Sequence, residues 1–135
     1  MSRKQSREVV FKLLFALAFD EAGETEIELA TQETIDEKEK IYIDALVAAV
    51  KTNLSNIDGI ISNTAKGFSF DRIYKVDLTA LRLAVGEIMY MPDTPDIVAI
   101  NEAVNLVKKY GTENSAGYVN GILASVLESK ADNGK

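Results

Sequence analysis

Apolar residues recur along most of the chain at spacings of three and four positions, the period of an amphipathic α-helix. The clearest stripe consists of Val10, Leu13, Leu14 and Leu17. The same pattern predicts long helices over residues 2–19, 36–53, 55–66 and 75–89, shorter ones near 26–32 and 70–73, and a final helix pair within 97–127. Both prolines fall in the linker 91–95, where they confine helix ends. The pattern therefore predicts an all-α domain.

The final helix pair is predicted to be joined by a hinge at residues 110–112. Lys108 and Lys109 lie in the last turn of the first helix, where cations favour the negative end of the helix dipole. Gly111 follows at a position where a left-handed capping residue is expected. Either Thr112 or Asn114 is a suitable cap for the next helix.

The composition excludes several kinds of chemistry. The 135-residue chain, about one domain by length, has neither cysteine nor histidine, which excludes disulfides, Cys/His zinc sites, cysteine nucleophiles and Ser-His-Asp triads. No apolar run approaches the ~20 residues of a membrane span, and no signal peptide is recognisable. Because cysteine is absent, a reducing cytoplasm is the expected location.

The net charge of −6 argues against a nucleic-acid partner, but the charge is unevenly distributed. Residues 20–40 carry a net charge of −7, whereas residues 1–12 carry +3. Arg3, Lys4 and Arg7 lie on the first turns of a helix, where the dipole disfavours cations. They are therefore either a local phosphate-binding site or an ordinary solvated terminus.

Two charged residues, Arg82 and Glu87, interrupt a strongly apolar segment. Each must either extend to the surface or be paired, because an unpaired buried charge is prohibitively costly. No glycine-rich phosphate loop, metal-binding carboxylate pattern or activated nucleophile is recognisable. The residues alone thus indicate a small helical binding module without visible enzyme chemistry or a cofactor.

Three segments carry a more specific signal: SREVVFKLLF at 6–15, FSFDRIYKVDLTALRLAVGEI at 68–88 and VAINEAVNLVKKYGTENSAGYVNGIL at 98–123. They resemble the NusB transcription antitermination factor family over nearly the whole chain. The most specific pieces are VAINEAV at 98–104 and YVNGIL at 118–123, and LRLAVGEI at 81–88 supports them.

The resemblance implies one all-α domain of two small helical subdomains, residues 1–66 and 67–130. It implies a cytoplasmic bacterial protein that pairs with the ribosomal protein NusE and binds boxA-type single-stranded RNA. The pair would join an RNA polymerase complex that resists termination on ribosomal RNA operons, with no catalysis, no metal and no membrane.

The resemblance also assigns binding residues. Arg3, Lys4 and Arg7 correspond to the family's basic N-terminal RNA contacts, although many relatives have a denser arginine run. Asn114 and Tyr118 correspond to RNA-facing positions after the hinge. Tyr118 is either a stacking platform for an unpaired base or simply a half-buried ring.

The expected partner interface contains Phe15 and Asp77. Many relatives carry Tyr at Phe15, so a hydroxyl contact is absent here, and the alternative is that Phe15 is simply core. Gly86 stands where an aromatic residue is common, which predicts a small gap in the packing.

Five polar residues are expected to be structural: Arg82, Glu87, Asn101, Glu102 and Asn120. We expect Glu102 to pair with Arg82 at the join of the last helices, and Asn101 to bond nearby backbone. Asn120, together with Gly121, is expected to let the last helix pack closely.

Two alternatives remain open. The chain could be a protein-interaction module that binds a ribosomal protein or itself with little RNA contact, since some relatives form homodimers that hide the RNA face. NusB-like domains also precede RNA cytosine methyltransferase domains, but no domain that could bind a methyl donor is expected within these 135 residues.

Overall fold

The computed structural model describes residues 1–19, 35–65, 67 and 69–133, with 132 and 133 described by backbone alone. In these ranges the chain forms α1 (Arg3–Phe15), α2 (Glu37–Thr52), α3 (Leu54–Thr64), α4 (Lys75–Tyr90), α5 (Asp96–Tyr110) and α6 (Ser115–Asn133). Short 3-10 helices cover Ala16–Phe19 and Phe70–Arg72. The predicted helix at 26–32 and the predicted subdomain boundary at residue 66 lie outside the described residues.

The all-α prediction is confirmed, and the described ranges contain no strand. α1 begins with a capping box, in which Ser2 and Gln5 each bond the other's backbone N–H. The predicted bend between α2 and α3 falls at Asn53, whose φ of −109° and ψ of 21° interrupt the helix. The hinge between α5 and α6 also lies where the pattern placed it.

α4 is the central helix. Thirteen consecutive residues, Val76 to Ile88, are buried, whereas a surface helix buries only one stripe. α4 packs against α1, α2, α3, α5 and α6, and one continuous apolar cluster joins side chains from all six helices. The division into two subdomains stays a prediction.

A buried ion pair fastens α1 to α4. Arg7 donates from Nε to Glu87 Oε1 at 2.7 Å and from Nη2 to Oε2 at 3.0 Å. The two side chains are only 6% and 0% exposed. Of the two predicted alternatives, extension to the surface or pairing, Glu87 therefore follows the second. Fork-to-fork geometry of this kind is the arrangement that best offsets the cost of burying two charges.

The predicted pairing of Arg82 with Glu102 is wrong. Arg82 instead donates from Nε and Nη2 to the two carboxylate oxygens of Asp58 on α3, both at 2.9 Å. Five helical positions separate Arg82 from Glu87, which turns their side chains about 140° apart around α4. Glu87 thus faces α1, while Arg82 faces α3.

Arg3 forms a second tie at the start of α1. Its Nε donates to Glu39 Oε1 at 2.8 Å, and the Ser6 hydroxyl donates to the same oxygen. The Arg3 guanidinium also lies 3.9 Å from the centre of the Tyr42 ring. α2 therefore uses Glu39 to hold α1 and not to form a capping box, and Asp36 at the N-cap makes no side-chain capping bond.

Two glycines are required by close packing. A Cβ on Gly86 would lie 2.6 Å from Val50 Cγ2, so the predicted gap does not exist because α2 fills it. Gly111 has φ −96°, not the predicted left-handed conformation. A Cβ on Gly111 would lie 2.5 Å from Ser115 Oγ and 2.7 Å from the Val107 carbonyl oxygen.

Two predictions about polar residues of the final pair are wrong. Asn101 is exposed, and its side chain makes no hydrogen bond within the described ranges. Asn120 and Gly121 are exposed too, and a Cβ on Gly121 would meet no atom within 4 Å. The buried stripe of α6 passes instead through Val119, Ile122, Leu123 and Val126, so this polar edge of the helix faces open space.

We expect Glu87→Gln to lower the free energy of unfolding by about 3–5 kcal/mol, because the Arg7 guanidinium would remain buried without a counter-charge. The measurement is urea denaturation at neutral pH. The control is Glu128→Gln, an exposed carboxylate on α6 that should shift stability by less than about 0.5 kcal/mol. Equal effects of the two substitutions would contradict the structural role of the ion pair.

We expect Gly86→Ala to destabilise the protein by about 1–3 kcal/mol despite alanine's better helix propensity, because Val50 is stiff and cannot retreat. Val50→Ala alone opens a cavity at the same place. In a double-mutant cycle, the combined variant should lose less stability than the sum of the single variants. Simple additivity would show that the two positions are not in contact.

Candidate nucleic-acid and partner interface

Of the three predicted N-terminal RNA contacts, only Lys4 is exposed and without an ion pair in the described structure. Arg7 is buried, and although burial disfavours its charge, the bonds and attraction of Glu87 raise its pKa. The pKa of Arg3 is raised chiefly by its hydrogen bonds to Glu39. Arg7 therefore cannot serve as a surface phosphate ligand in this conformation. Arg3 is already paired with the carboxylate of Glu39.

A groove of about 350 Å³ runs between α1 and the C-terminal half of α5. Its lining is mostly charged and consists of Lys4, Arg7, Glu8, Glu102, Asn105, Leu106, Lys108 and Lys109. The contribution of α5 was not predicted, because Lys108 and Lys109 were assigned only to the helix dipole. The sequence does contain a pattern that indicates a polar face on α5, since positions 102, 105 and 109 form a polar stripe at helical spacing.

Glu8 closes one wall of this groove and ties α1 to the hinge. It accepts from Lys109 Nζ at 2.8 Å and from the Tyr110 hydroxyl. Partial burial opposes ionisation of Glu8, but these bonds lower its pKa overall. The Tyr110 ring also stacks on Phe11, with centroids 5.4 Å apart. The last turn of α5 is therefore fixed against α1.

A second hollow, of about 230 Å³, lies beside the start of α6. It brings together three predicted binding residues, Asp77, Asn114 and Tyr118, with three that were not predicted, Arg72, Ile73 and Tyr74. The Tyr74 ring is 50% exposed. Aromatic rings, an amide and a guanidinium around one hollow are groups that can bind a nucleobase by stacking and hydrogen bonding.

The floor of this hollow holds a carboxylate that lacks a full set of partners. Asp77 is 6% exposed, and its Oδ1 accepts no hydrogen bond from the part of the chain that the structure describes. Burial raises the pKa of Asp77, and the hydrogen bond from Ser115 only partly opposes this rise. A buried acceptor without a donor is costly, so Asp77 is suited to receive a donor from a bound molecule.

Phe15 lies at a different place, in a row of aromatic rings along α1. The Phe15 ring stacks on that of Phe11, with centroids 6.4 Å apart. It packs edge-to-face against the ring of Phe19, with centroids 5.0 Å apart. Phe15 is half-buried, whereas Phe19 is 51% exposed. The row thus ends in an exposed ring, and Phe15 is not among the described residues that line the hollow at Asp77.

The described residues contain no cluster of carboxylates that could hold a metal ion. Among the same residues, no helix combines the length and apolar character needed to cross a membrane.

We expect Asp77→Asn to stabilise the folded protein at pH 7, because the folded-state pKa of Asp77 is raised and its ionised form is penalised by burial. The gain should shrink as the pH falls through this folded-state pKa, and it should vanish below the unfolded-state pKa of about 3.9. Thermal unfolding at neutral and acidic pH measures it. A variant that is less stable than the wild type at both pH values would contradict the burial penalty.

Comparison with known proteins gives a consistent result. The sequence profile of the NusB family matches residues 4–128. The transcription antitermination protein NusB of Natranaerobius thermophilus is 41% identical over 131 residues, which cover 93% of this chain and 94% of that protein. NusB of Acetivibrio thermocellus is 42% identical, with coverages of 96% and 91%.

Solved structures agree in fold. A T. maritima NusB structure superposes with a TM-score of 0.88 at 40% identity, covering 95% of this chain and 92% of that one. A crystal structure of the antitermination factors NusB and NusE in complex with double-stranded RNA contains a chain that superposes with a TM-score of 0.84 at 27% identity, with coverages of 94% and 96%. Because sequence and structure match over nearly the whole chain, the chain belongs to the NusB family.

Proposed function

We propose that this chain is a transcription antitermination factor that binds boxA-type RNA together with NusE and promotes processive transcription of ribosomal RNA operons as part of an RNA polymerase complex. One observation carries the proposal: the hollow beside α6 joins Tyr118 and Asn114 with the buried carboxylate of Asp77. Its support from relatives is the solved complex of NusB and NusE with RNA. The protein acts in the cytoplasm and needs no catalytic group.

In this proposal, the RNA contacts centre on α6 and its approach. The Tyr118 ring stacks on an unpaired base, which is worth about 1–3 kcal/mol. Asn114 is exposed at the start of the helix, where its amide can donate to and accept from a base edge. Arg3 and Arg7 act indirectly, since their ion pairs hold α1 in place, while Lys4 keeps the role of a phosphate contact.

The partner contacts combine an apolar and a polar element. Phe15 and the exposed Phe19 offer an aromatic edge at the end of α1. Asp77 offers an acceptor oxygen that its own chain leaves without a donor in the described residues. A basic side chain from NusE that donates to this oxygen would also relieve the cost of its burial.

A second function is favoured by one specific observation. Two of the three N-terminal cations are neutralised by carboxylates, so little free positive charge remains on α1. A protein-interaction module that binds NusE, or a second copy of this chain, with little direct RNA contact would show this property. It would form a complex with NusE without shifting RNA at physiological salt.

We expect boxA-type RNA to bind this chain more tightly in the presence of NusE. With NusE present, Tyr118→Leu should weaken RNA binding by about 1–3 kcal/mol, because the stacking ring is lost. Fluorescence anisotropy of labelled RNA measures both effects.

Tyr118→Phe is the matched control, because it keeps the ring and should retain most of the affinity. Equal affinities of the two variants would contradict stacking. A wild-type protein that binds NusE but no RNA would instead support the interaction module.

A further inference from the structure

A series of hydrogen bonds at the start of α6 connects the buried carboxylate of Asp77 with the hinge that carries Asn114. We propose that Ser115 is a positioning residue that couples the binding of NusE at Asp77 to the binding of RNA at Asn114. This inference rests on the proposed function, because that function supplies the two binding events that Ser115 would link.

The hydrogen bonds of this series all run in one direction. The Ser115 hydroxyl donates to Asp77, and since Oδ1 of Asp77 accepts no bond from the described residues, the acceptor is Oδ2. The Ser115 oxygen accepts from the Thr112 backbone N–H at 3.0 Å and lies 3.3 Å from the Thr112 hydroxyl. With its own hydrogen given to Asp77, Ser115 accepts from that hydroxyl too. The Thr112 hydroxyl oxygen accepts from the Asn114 backbone N–H at 3.3 Å.

Ser115 is the buried member of the series. Its side chain is 1% exposed, so water cannot replace a partner that moves away. The hinge backbone also packs directly against its hydroxyl, since a Cβ on Gly111 would lie 2.5 Å from Ser115 Oγ. The position of the Asp77 carboxylate is therefore transmitted through Ser115 to the backbone of the hinge.

Asp77 is the end of the series that a partner can change. Its Oδ1 has no donor in the part of the chain that the structure describes, although Arg72 lines the same hollow. Turning the carboxylate toward solvent would relieve the cost of this unsatisfied oxygen, but it would break the bond from Ser115. A basic side chain of NusE that donates to Oδ1 removes the gain from turning. NusE would thereby raise the fraction of molecules in which Ser115 is bonded to Asp77.

Asn114 is the end of the series that faces the RNA. Its side chain is exposed, and it lines the hollow together with Tyr118 and Asp77. Its backbone N–H is bonded to Thr112, and its carbonyl oxygen accepts from the Tyr118 backbone N–H at 3.2 Å. These bonds set the direction in which the Asn114 amide points, and a hydrogen bond to a base edge weakens steeply when it is misaligned. RNA would therefore bind most tightly to molecules in which the series is complete.

A purely structural role of Ser115 makes a different prediction. The bond from the Thr112 N–H to the side chain three residues later is one half of a capping box, an arrangement that starts many helices. Loss of a cap lowers the stability of the protein, but it leaves the effect of NusE on RNA affinity unchanged. A cap also requires neither that Ser115 be buried nor that it donate to Asp77.

The experiment measures the affinity of the protein for boxA-type RNA with and without saturating NusE, and the ratio of the two affinities is the coupling factor. Hydrogen exchange of the Thr112 amide is recorded by NMR in the same two states, without RNA. The proteins compared are the wild type, Ser115→Ala, Asp77→Asn, the double variant Asp77→Asn/Ser115→Ala, and Ser6→Ala. Ser6 is the matched control, since it is a buried serine that bonds Glu39 and lies outside the hollow. Thermal unfolding checks that every variant is folded.

NusE should tighten RNA binding by the wild type and slow the exchange of its Thr112 amide. Coupling factors between two sites are typically about 5–150. The factor of Ser115→Ala should be about fivefold lower, the fold-change that corresponds to one lost hydrogen bond, and NusE should no longer slow Thr112 exchange. Asp77→Asn should lower the factor as well, and adding Ser115→Ala to it should lower it no further, because both remove the same link. Ser6→Ala should lose stability but keep the wild-type factor.

The coupling role of Ser115 is overturned if Ser115→Ala keeps the coupling factor of Ser6→Ala, or if the wild type binds RNA equally well with and without NusE. A wild type that does not bind NusE overturns it too. A failure of the proposed function in RNA binding looks different, because no protein then binds RNA in either state. The exchange data still decide the link in that case: slowing by NusE in the wild type but not in Ser115→Ala supports it, and equal exchange in the two proteins overturns it.

Discussion

The buried ion pair between Arg7 and Glu87 is the constraint on which the arrangement of the binding surfaces depends. It joins α1 to the central helix α4 at a place where neither charge reaches water, so breaking it would leave a charge buried alone. Because Arg7 points inward, helical geometry fixes where its neighbours point. Lys4 and Glu8 then face α5, where Glu8 holds the last turn of that helix through Lys109 and Tyr110.

This arrangement separates two tasks that a basic N-terminus could have combined. The arginines of α1 are used to hold helices together, Arg7 to α4 and Arg3 to α2. The exposed positive charge beside the groove between α1 and α5 comes instead from lysines such as Lys4 and Lys108, because lysine is less able to form buried forked pairs. Two residues that line the hollow at Asp77, Asn114 and Tyr118, follow the hinge that ends α5. The two features together form the surface that we propose for RNA and NusE.

Much of the fold could be predicted from the sequence, because helical periodicity is a local property. The boundaries of α4 and the hinge at 110–112 followed from it, and the resemblance supplied the family. The partners of charged residues could not be predicted, since periodicity shows which face of a helix a side chain occupies but not which helix lies opposite. The sequence therefore predicted Glu102 as the partner of Arg82, whereas the structure pairs Arg82 with Asp58. Gly111 was expected to be left-handed, whereas it is needed because Ser115 approaches closely.

The most direct test of the account is an NMR titration of the isotope-labelled chain, first with NusE and then with boxA-type RNA. We expect NusE to shift signals around Phe15 and Asp77. RNA should then shift those of Lys4 and of residues 108–118, while α2 and α3 stay unchanged. RNA-induced shifts confined to α2 and α3, or no shifts on adding RNA to the NusE complex, would contradict the account.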